Sequence, residues 1–137
     1  EESVSDSLIS TVDLPKTIIN LLGIRKRHHP EVFQGHDATP ILKDPNAKIR
    51  DRVLIEHDEE MAKDKIMRLR TLVTEQHRLT IYDDHEEIGD LFDLKNDPEE
   101  IKNLWDSNKE LRTELVEELL REIVSLRPRY PERAAYN

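Results

Sequence analysis

The stretch GDLFDLKNDPEEIKNLW, Gly89 to Trp105, decides how this chain is read. It compresses an alternating apolar strand, a turn and a helix start into one run. It also holds the only Trp of a sequence in which charged residues, at 37%, outnumber hydrophobic ones, at 36%, so the core has few large residues to draw on. Leu91 and Leu94 can anchor a strand, and Asp93 suits the turn that follows. Asp97, Pro98 and Glu100 stand where the N-cap, N1 and N3 of a helix would, a capping box with proline in its tolerated place. Asn103, Leu104 and Trp105 close the stretch, with Leu104 and Trp105 placed to clamp that helix to a sheet. A cap contributes about 1 kcal/mol and a buried Trp several, so the stretch is expected to decide whether its surroundings hold together.

Upstream of it the period is two. RVLIEH (52–57), IMRLRTLVT (66–74), HRLTIYD (77–83) and GDLFDL (89–94) alternate apolar with polar residues, as half-buried strands do. In the second of these, Met67, Leu69, Thr71 and Val73 make a better core face than Ile66, Arg68, Arg70 and Leu72. Short connections favour hairpins and hence an antiparallel meander. Downstream, Ser107 with Glu110 forms a second capping box and opens a long helix to about Leu126, with Leu111, Leu115, Val116, Leu119, Leu120 and Ile123 as its apolar stripe. Pro128 and Pro131 stop it, and the tail 127–137 is expected to run extended.

At the other end, STVDLPKTIINLLG (10–23) has helical spacing and a terminal Gly suited to C′, giving a helix over about 12–22 whose N-cap is Ser10, Thr11 or Asp13. Residues 24–37 read as an irregular loop, and a short helical turn follows at Ala38 to Lys43. The expected fold is α+β: a four-stranded antiparallel sheet packed against a long C-terminal helix and preceded by an N-terminal helix. At 137 residues the length suits one domain, with 1–50 a helix and loop, 51–126 the sheet and helix, and 127–137 the tail.

A formal charge of −9 argues against a nucleic acid or an anionic membrane as partner, since both need a basic surface. No apolar run approaches the roughly 18 residues of a membrane span. The absence of Cys rules out disulfides, thiolate metal sites and a cysteine nucleophile, and leaves periplasmic, secreted and cytoplasmic locations all open. The chain opens on EESVSDS without Met, which suggests a mature product or a piece of something longer.

Four constellations have chemical potential and a plainer reading beside it. His28, His29 and His36 could ligate a metal, but adjacent loop histidines rarely converge on one ion. EHDEE (56–60), ending a strand, could rim a pocket or hold a hard cation, or be a charged turn. DDHEE (83–87) reads as a polar hairpin turn. Arg68 and Arg70 could bind an anion, or make structural ion pairs. No phosphate loop, serine elbow or zinc motif is present.

Gly89 to Trp105 resembles the "ELYDL, two residues, DPxExxNL" signature near the C-terminus of type I, arylsulfatase-like sulfatases of the alkaline phosphatase superfamily. STVDLPKTIINLLGI is similar to the family's "S, x, VDLxPTxxxLxGI" helix, and FQGHDATPILKD to its "xQGxSLxPLL" segment. RVLIEH, RLRT and HRLTIYD resemble the family's "E … R, x, x, T … KL" strands, in order. Phe92, Arg78 and the pair His36–Asp37 depart from the usual residues, which bears on substrate detail rather than membership.

The resemblance implies a sulfuric ester hydrolase using a formylglycine, matured from a C/S-x-P-x-R motif, beside a divalent cation, calcium or magnesium, held by Asp and Asn. All of these lie in a larger N-terminal catalytic domain, which becomes this chain's implied partner. SLRPR (125–129) misplaces its Pro and RYPER (129–133) puts Arg129 at the nucleophile position, so no catalytic or metal residue is expected here. An enzyme lowers its barrier by roughly 8–23 kcal/mol, and exposed charges contribute on the order of 1 kcal/mol each, so the chain alone is expected to be inactive. His57, Arg68 and Arg70 are the candidates for the rim of the sulfate-ester site. A surface bared by the missing domain predicts self-association into a homo-oligomer. Two alternatives stand beside this reading: a self-contained interaction module derived from a sulfatase tail, and the tail of a related phosphodiester or phosphonate hydrolase.

Overall fold

The computed structural model describes residues 3–30, 33–62, 65–83 and 87–126. The tail 127–137, with Pro128 and Pro131, and the centre of DDHEE lie outside them. The chain divides into two compact units, Glu1–Ile49 with the C-terminal residues from Leu126, and Arg50–Ser125.

In the first unit a 3-10 turn, Thr11–Asp13, leads into α1, Leu14–Leu21, which carries Pro15 in its first turn and ends at Gly23 in the left-handed region (φ 68°). A second 3-10 turn spans Lys26–His28, and α2 spans Thr39–Lys43. Polar groups hold this unit. Asp13, 1% exposed, accepts the Ser10 N–H at 2.7 Å and the His36 N–H at 2.7 Å. The Thr17 hydroxyl donates to the Asp13 carbonyl oxygen and accepts the Ala38 N–H. Gly35 is required there, because a Cβ would sit 1.9 Å from the Val12 carbonyl oxygen.

The second unit is a four-stranded antiparallel sheet in the order β1 (Arg52–Ala62), β2 (Lys65–Thr74), β3 (His77–Tyr82), β4 (Gly89–Asp93), followed by α3 (Lys109–Ser125). The fold class and all four strands match the sequence reading, with β1 five residues longer than RVLIEH. The core face differs. Leu54, Leu72, Leu79 and Leu91 stand in register across the sheet and pack with Leu115 and Leu119 of α3 and with Trp105. The helix therefore covers the Leu72 face rather than the Met67, Leu69, Thr71, Val73 face. The two arginines on the Leu72 face misled the pattern: β1 supplies Glu56 and Asp58 opposite them, so they stay neutralised toward the hairpin end and only Leu72 needs the core. The other face keeps Thr71 and Thr80 buried by bonding their hydroxyls to each other at 2.9 Å.

The helix expected at Asp97 does not form. Residues 94–108 are turns and irregular backbone, Glu100 has φ 55°, and its carboxylate turns to Arg78 instead of back to Asp97. Asp97 accepts the N–H groups of Ile101 and Lys102, closing a loop rather than capping a helix. At α3 it is Asn108, not Ser107, whose side chain accepts the Leu111 N–H; the Ser107 hydroxyl bonds back to the Leu104 carbonyl oxygen. No described helix is long and apolar enough to cross a membrane.

Candidate functional site

The chemistry-bearing residues fall into three places. The first is the β1–β2 hairpin, where Asp58 stands directly opposite Arg68 and Glu56 opposite Arg70. Arg70 donates to Asp58 at 2.7 Å and lies 3.1 Å from Glu56; Arg68 donates to Asp83 at 3.0 Å and lies 3.8 Å from Asp58. The hydrogen bond from Arg70 holds the Asp58 carboxyl below its ordinary value, against burial and with help from the charges of Arg70 and Arg68. Three carboxylates thus surround two guanidiniums, a ladder with net negative charge. Arg68 is the more exposed of the two, at 49% against 24%.

EHDEE does not end a strand. It lies inside β1, and strand alternation sends Glu56 and Asp58 to the arginine face and His57 and Glu59 to the other. The structure therefore brings Arg68 and Arg70 together and sets His57 apart, across the sheet, with its Nε2 3.3 Å from Glu59.

The second place is the histidine loop of the first unit. His29 Nε2 sits 2.7 Å from the Ile24 carbonyl oxygen, His28 accepts from Arg27, and His36 Nδ1 is 4.0 Å from Asp13. Each serves its own neighbourhood. Among the described residues no group of three or more His, Asp or Glu converges as a metal site, and no Cys exists to mature into formylglycine. The described residues do not suit the divalent cation.

The third place is the stretch from Gly89 to Trp105. Trp105 lies on Gly89, where a Cβ would come within 2.2 Å of the ring. Its indole N–H donates to the Glu87 carbonyl oxygen. Asn103 is the hinge of the arrangement: its side-chain oxygen accepts the N–H groups of Leu91 and Trp105, and its amide donates to the Gly89 carbonyl oxygen and to Asp90. With the Leu104 N–H donating to Leu91, it closes the outer edge of β4. Asp93 accepts the N–H groups of Lys95 and Asn96, as a turn residue should. Leu91 is fully buried in the core and Leu94, whose N–H donates to Gln76, is half-buried. Pro98 lies in the turn after Asp97. Sequence reasoning missed Arg112, whose guanidinium stacks on Trp105; the available signal was a cation in the first turn of the helix that follows the Trp.

This clasp, in the order strand, Asx turn, loop and Trp, accompanies the sequence signature over its whole length. A family model described as N-sulphoglucosamine sulphohydrolase, C-terminal, matches residues 1–129. The chain belongs to that family. A search of curated proteins finds no match. Among solved structures, the chain is similar to a 2-O GAG sulfatase at 24% identity and a TM-score of 0.70, over 90% of this chain and 26% of that one. It is similar to a protein solved in complex with its substrate D-glucosamine-2-N,6-O-disulfate at 21% identity and a TM-score of 0.62, over 81% of this chain and 23% of that one. A structure from Bacteroides thetaiotaomicron aligns at 25% identity and a TM-score of 0.63, over 81% of this chain and 23% of that one. This sulphohydrolase C-terminal chain thus spans about a quarter of the solved chains it resembles.

Proposed function

We propose that this chain is the C-terminal part of a sulfuric ester hydrolase, completing its fold and shaping the rim of its substrate site. The observation that carries the reading is the family match along residues 1–129. In this reading the nucleophile, a formylglycine, and a calcium or magnesium ion belong to a larger N-terminal catalytic domain of the same protein. Residues 1–50 join that domain. The outward apolar side of α1, with Leu14, Ile18 and Leu21 each about half exposed, is the surface that suits the docking. The substrate is a sulfated sugar, a class supported by the family's description and by the sugar disulfate bound in a similar structure.

Arg68, Arg70 and His57 remain the rim candidates, and their placement orders them. Arg68, half exposed and on the ladder's margin, is best placed to exchange a carboxylate for a substrate group. Arg70, held by two carboxylates, positions it through Asp58, which both arginines approach. His57 reaches the rim only from the opposite sheet face.

The test compares the complete parent protein with the 137-residue chain, each given an aryl sulfate and N-sulphoglucosamine with added calcium or magnesium. Turnover by the complete protein only is expected. Metal-dependent turnover by the chain alone overturns the division of labour, and cleavage of phosphodiesters in preference to sulfates overturns the substrate class. In the parent, Arg68→Ala is expected to raise KM more than Arg70→Ala or His57→Ala does; unchanged kinetics in all three alanine variants would remove them from the rim.

A further inference from the structure

A cleft of about 440 Å³ opens in the second unit beside α3, lined by Ile81, Tyr82, Ile88, Trp105, Arg112 and Val116. Its walls are mainly apolar; the polar groups are the Tyr82 hydroxyl, which donates to Asp90, the Thr113 hydroxyl, which donates to the Lys109 carbonyl oxygen, and one guanidinium. Arg112 lies over Trp105, 4.8 Å from the ring centroid, and donates one hydrogen bond to the Trp105 carbonyl oxygen at 3.1 Å. Stacking and that bond fix the plane of the guanidinium while engaging one of its five N–H donors.

In the same unit Arg52, Arg68, Arg70, Arg78 and Arg121 each meet a carboxylate at 2.6–3.1 Å. Arg112 makes no such ion pair among the described residues. Among the described residues, the more carboxylate-rich unit of an acidic chain thus holds the oriented Arg112 without a carboxylate, and does so beside an apolar wall. The cleft's volume lies within the roughly 300–1,000 Å³ of small-ligand sites. Ile88, 59% exposed, stands at its mouth and loses that exposure when something enters.

We propose that this cleft binds a small amphiphilic carboxylate. Its aromatic or aliphatic body lies against Ile81, Ile88 and Val116, and its carboxylate takes the outward N–H groups of Arg112. The apolar wall supplies area and the guanidinium supplies the selection for an anion. The cleft's occupant acts on the Trp105 clasp directly.

Trp105 is the only Trp, so its indole N–H gives a single resonance that reports the cleft. The full 137-residue chain, labelled with nitrogen-15, is titrated with 4-phenylbutyrate and, separately, with the uncharged 4-phenylbutanol. A saturable shift of the indole resonance is expected with the acid, and binding about tenfold weaker with the alcohol. Arg112→Gln should bring the two to equal, weak affinity. Should that variant lose its fold, Ile88→Glu serves instead: it changes an exposed residue, sets a competing carboxylate at the mouth, and should weaken the acid selectively. Equal affinity for acid and alcohol in the unaltered chain, no saturable shift, or full binding by a folded Arg112→Gln variant each overturns the proposal.

Discussion

In Arg50–Ser125 the leucines of all four strands and a helix point inward and the charges lie outside; in Glu1–Ile49 the helix α1 does the reverse. The buried residues of α1 and the turn before it are Asp13 and Thr17, while Val12, Leu14, Ile18, Leu21 and Leu22 are 51–69% exposed. A buried carboxylate is tolerable because the Ser10 and His36 N–H groups satisfy it, and the His36 bond, with that from the Ala38 N–H to the Thr17 hydroxyl, ties the loop at 35–38 to the helix. The first unit is therefore specified by hydrogen bonds and the second by apolar area. Hydrogen bonds contribute about 1 kcal/mol net each, whereas a buried leucine contributes roughly 2–3 kcal/mol, so the second unit is expected to hold its shape alone and the first to gain most from a partner.

The largest effect should come from the clasp of the apolar unit. Trp105→Ala is expected to cost about 3–5 kcal/mol, read as a fall in the urea midpoint. Gly89→Val should approach the same loss from the other side, since its side chain enters the Trp105 ring. A shift below about 1 kcal/mol in both would show that the clasp is decorative. In the polar unit the matching change is Gly35→Ala, which drives a Cβ into the Val12 carbonyl. A loss of about 1–3 kcal/mol is expected. It should appear as faster hydrogen exchange at His36 and Ala38, with the leucine core of the other unit unchanged; exchange that accelerates equally in both units would mean that they unfold as one.

The sheet was legible because its strands carry period-two patterns and short connections, and the long helix because its stripe repeats at the helical period. What the sequence concealed were choices made between segments. Arg68 and Arg70 look wrong for a core-side face until Glu56 and Asp58 are placed opposite them. Asp97, Pro98 and Glu100 spell a capping box, yet Glu100 finds Arg78, 22 residues earlier, with two bonds of 2.6 Å each. That pair, stacked over Phe92 by Arg78, outweighs the local signal and holds Glu100 at φ 55°. The histidines carry no periodicity, so their surroundings could not be read; Arg112 left only its place in the first turn of the helix after Trp105 as a signal. Of the rim candidates, spacing paired Arg68 with Arg70 correctly, but the longer β1 placed His57 on the other face.

The Glu100 pair supplies the next effect in size. Arg78 holds the Glu100 carboxyl below its ordinary value of 4.5, mainly through the side-chain hydrogen bonds and against the opposing effect of burial. The unfolded chain therefore binds more protons than the folded one just below pH 4.5, and stability must rise with pH through that window. The pair's contribution is complete above the unfolded value and disappears as pH falls through the folded one. Glu100→Gln should cost about 1–2 kcal/mol at pH 7 and nothing once both forms are protonated. Glu100→Gly should lose less than Glu100→Gln, because glycine adopts positive φ without strain, a gain of about 1 kcal/mol. A Gln penalty that stays constant from pH 7 to pH 3 would dissociate the pair from the stability of this unit.

The smallest effect on folding should be the most informative about the comparison itself. Ile18→Ser and Leu21→Ser change residues of α1 that are 52% and 59% exposed, so each should alter stability by no more than about 0.5 kcal/mol. Serine removes apolar area from the outward side without touching Asp13 or Thr17. If that side is the contact surface of the first unit, the double variant should abolish concentration-dependent self-association of the isolated chain in sedimentation, and in the complete protein it should weaken the attachment of this region to the rest. A double variant that is destabilised by several kcal/mol instead would mean that these side chains are core residues, and that the polar unit is built on the same plan as the apolar one.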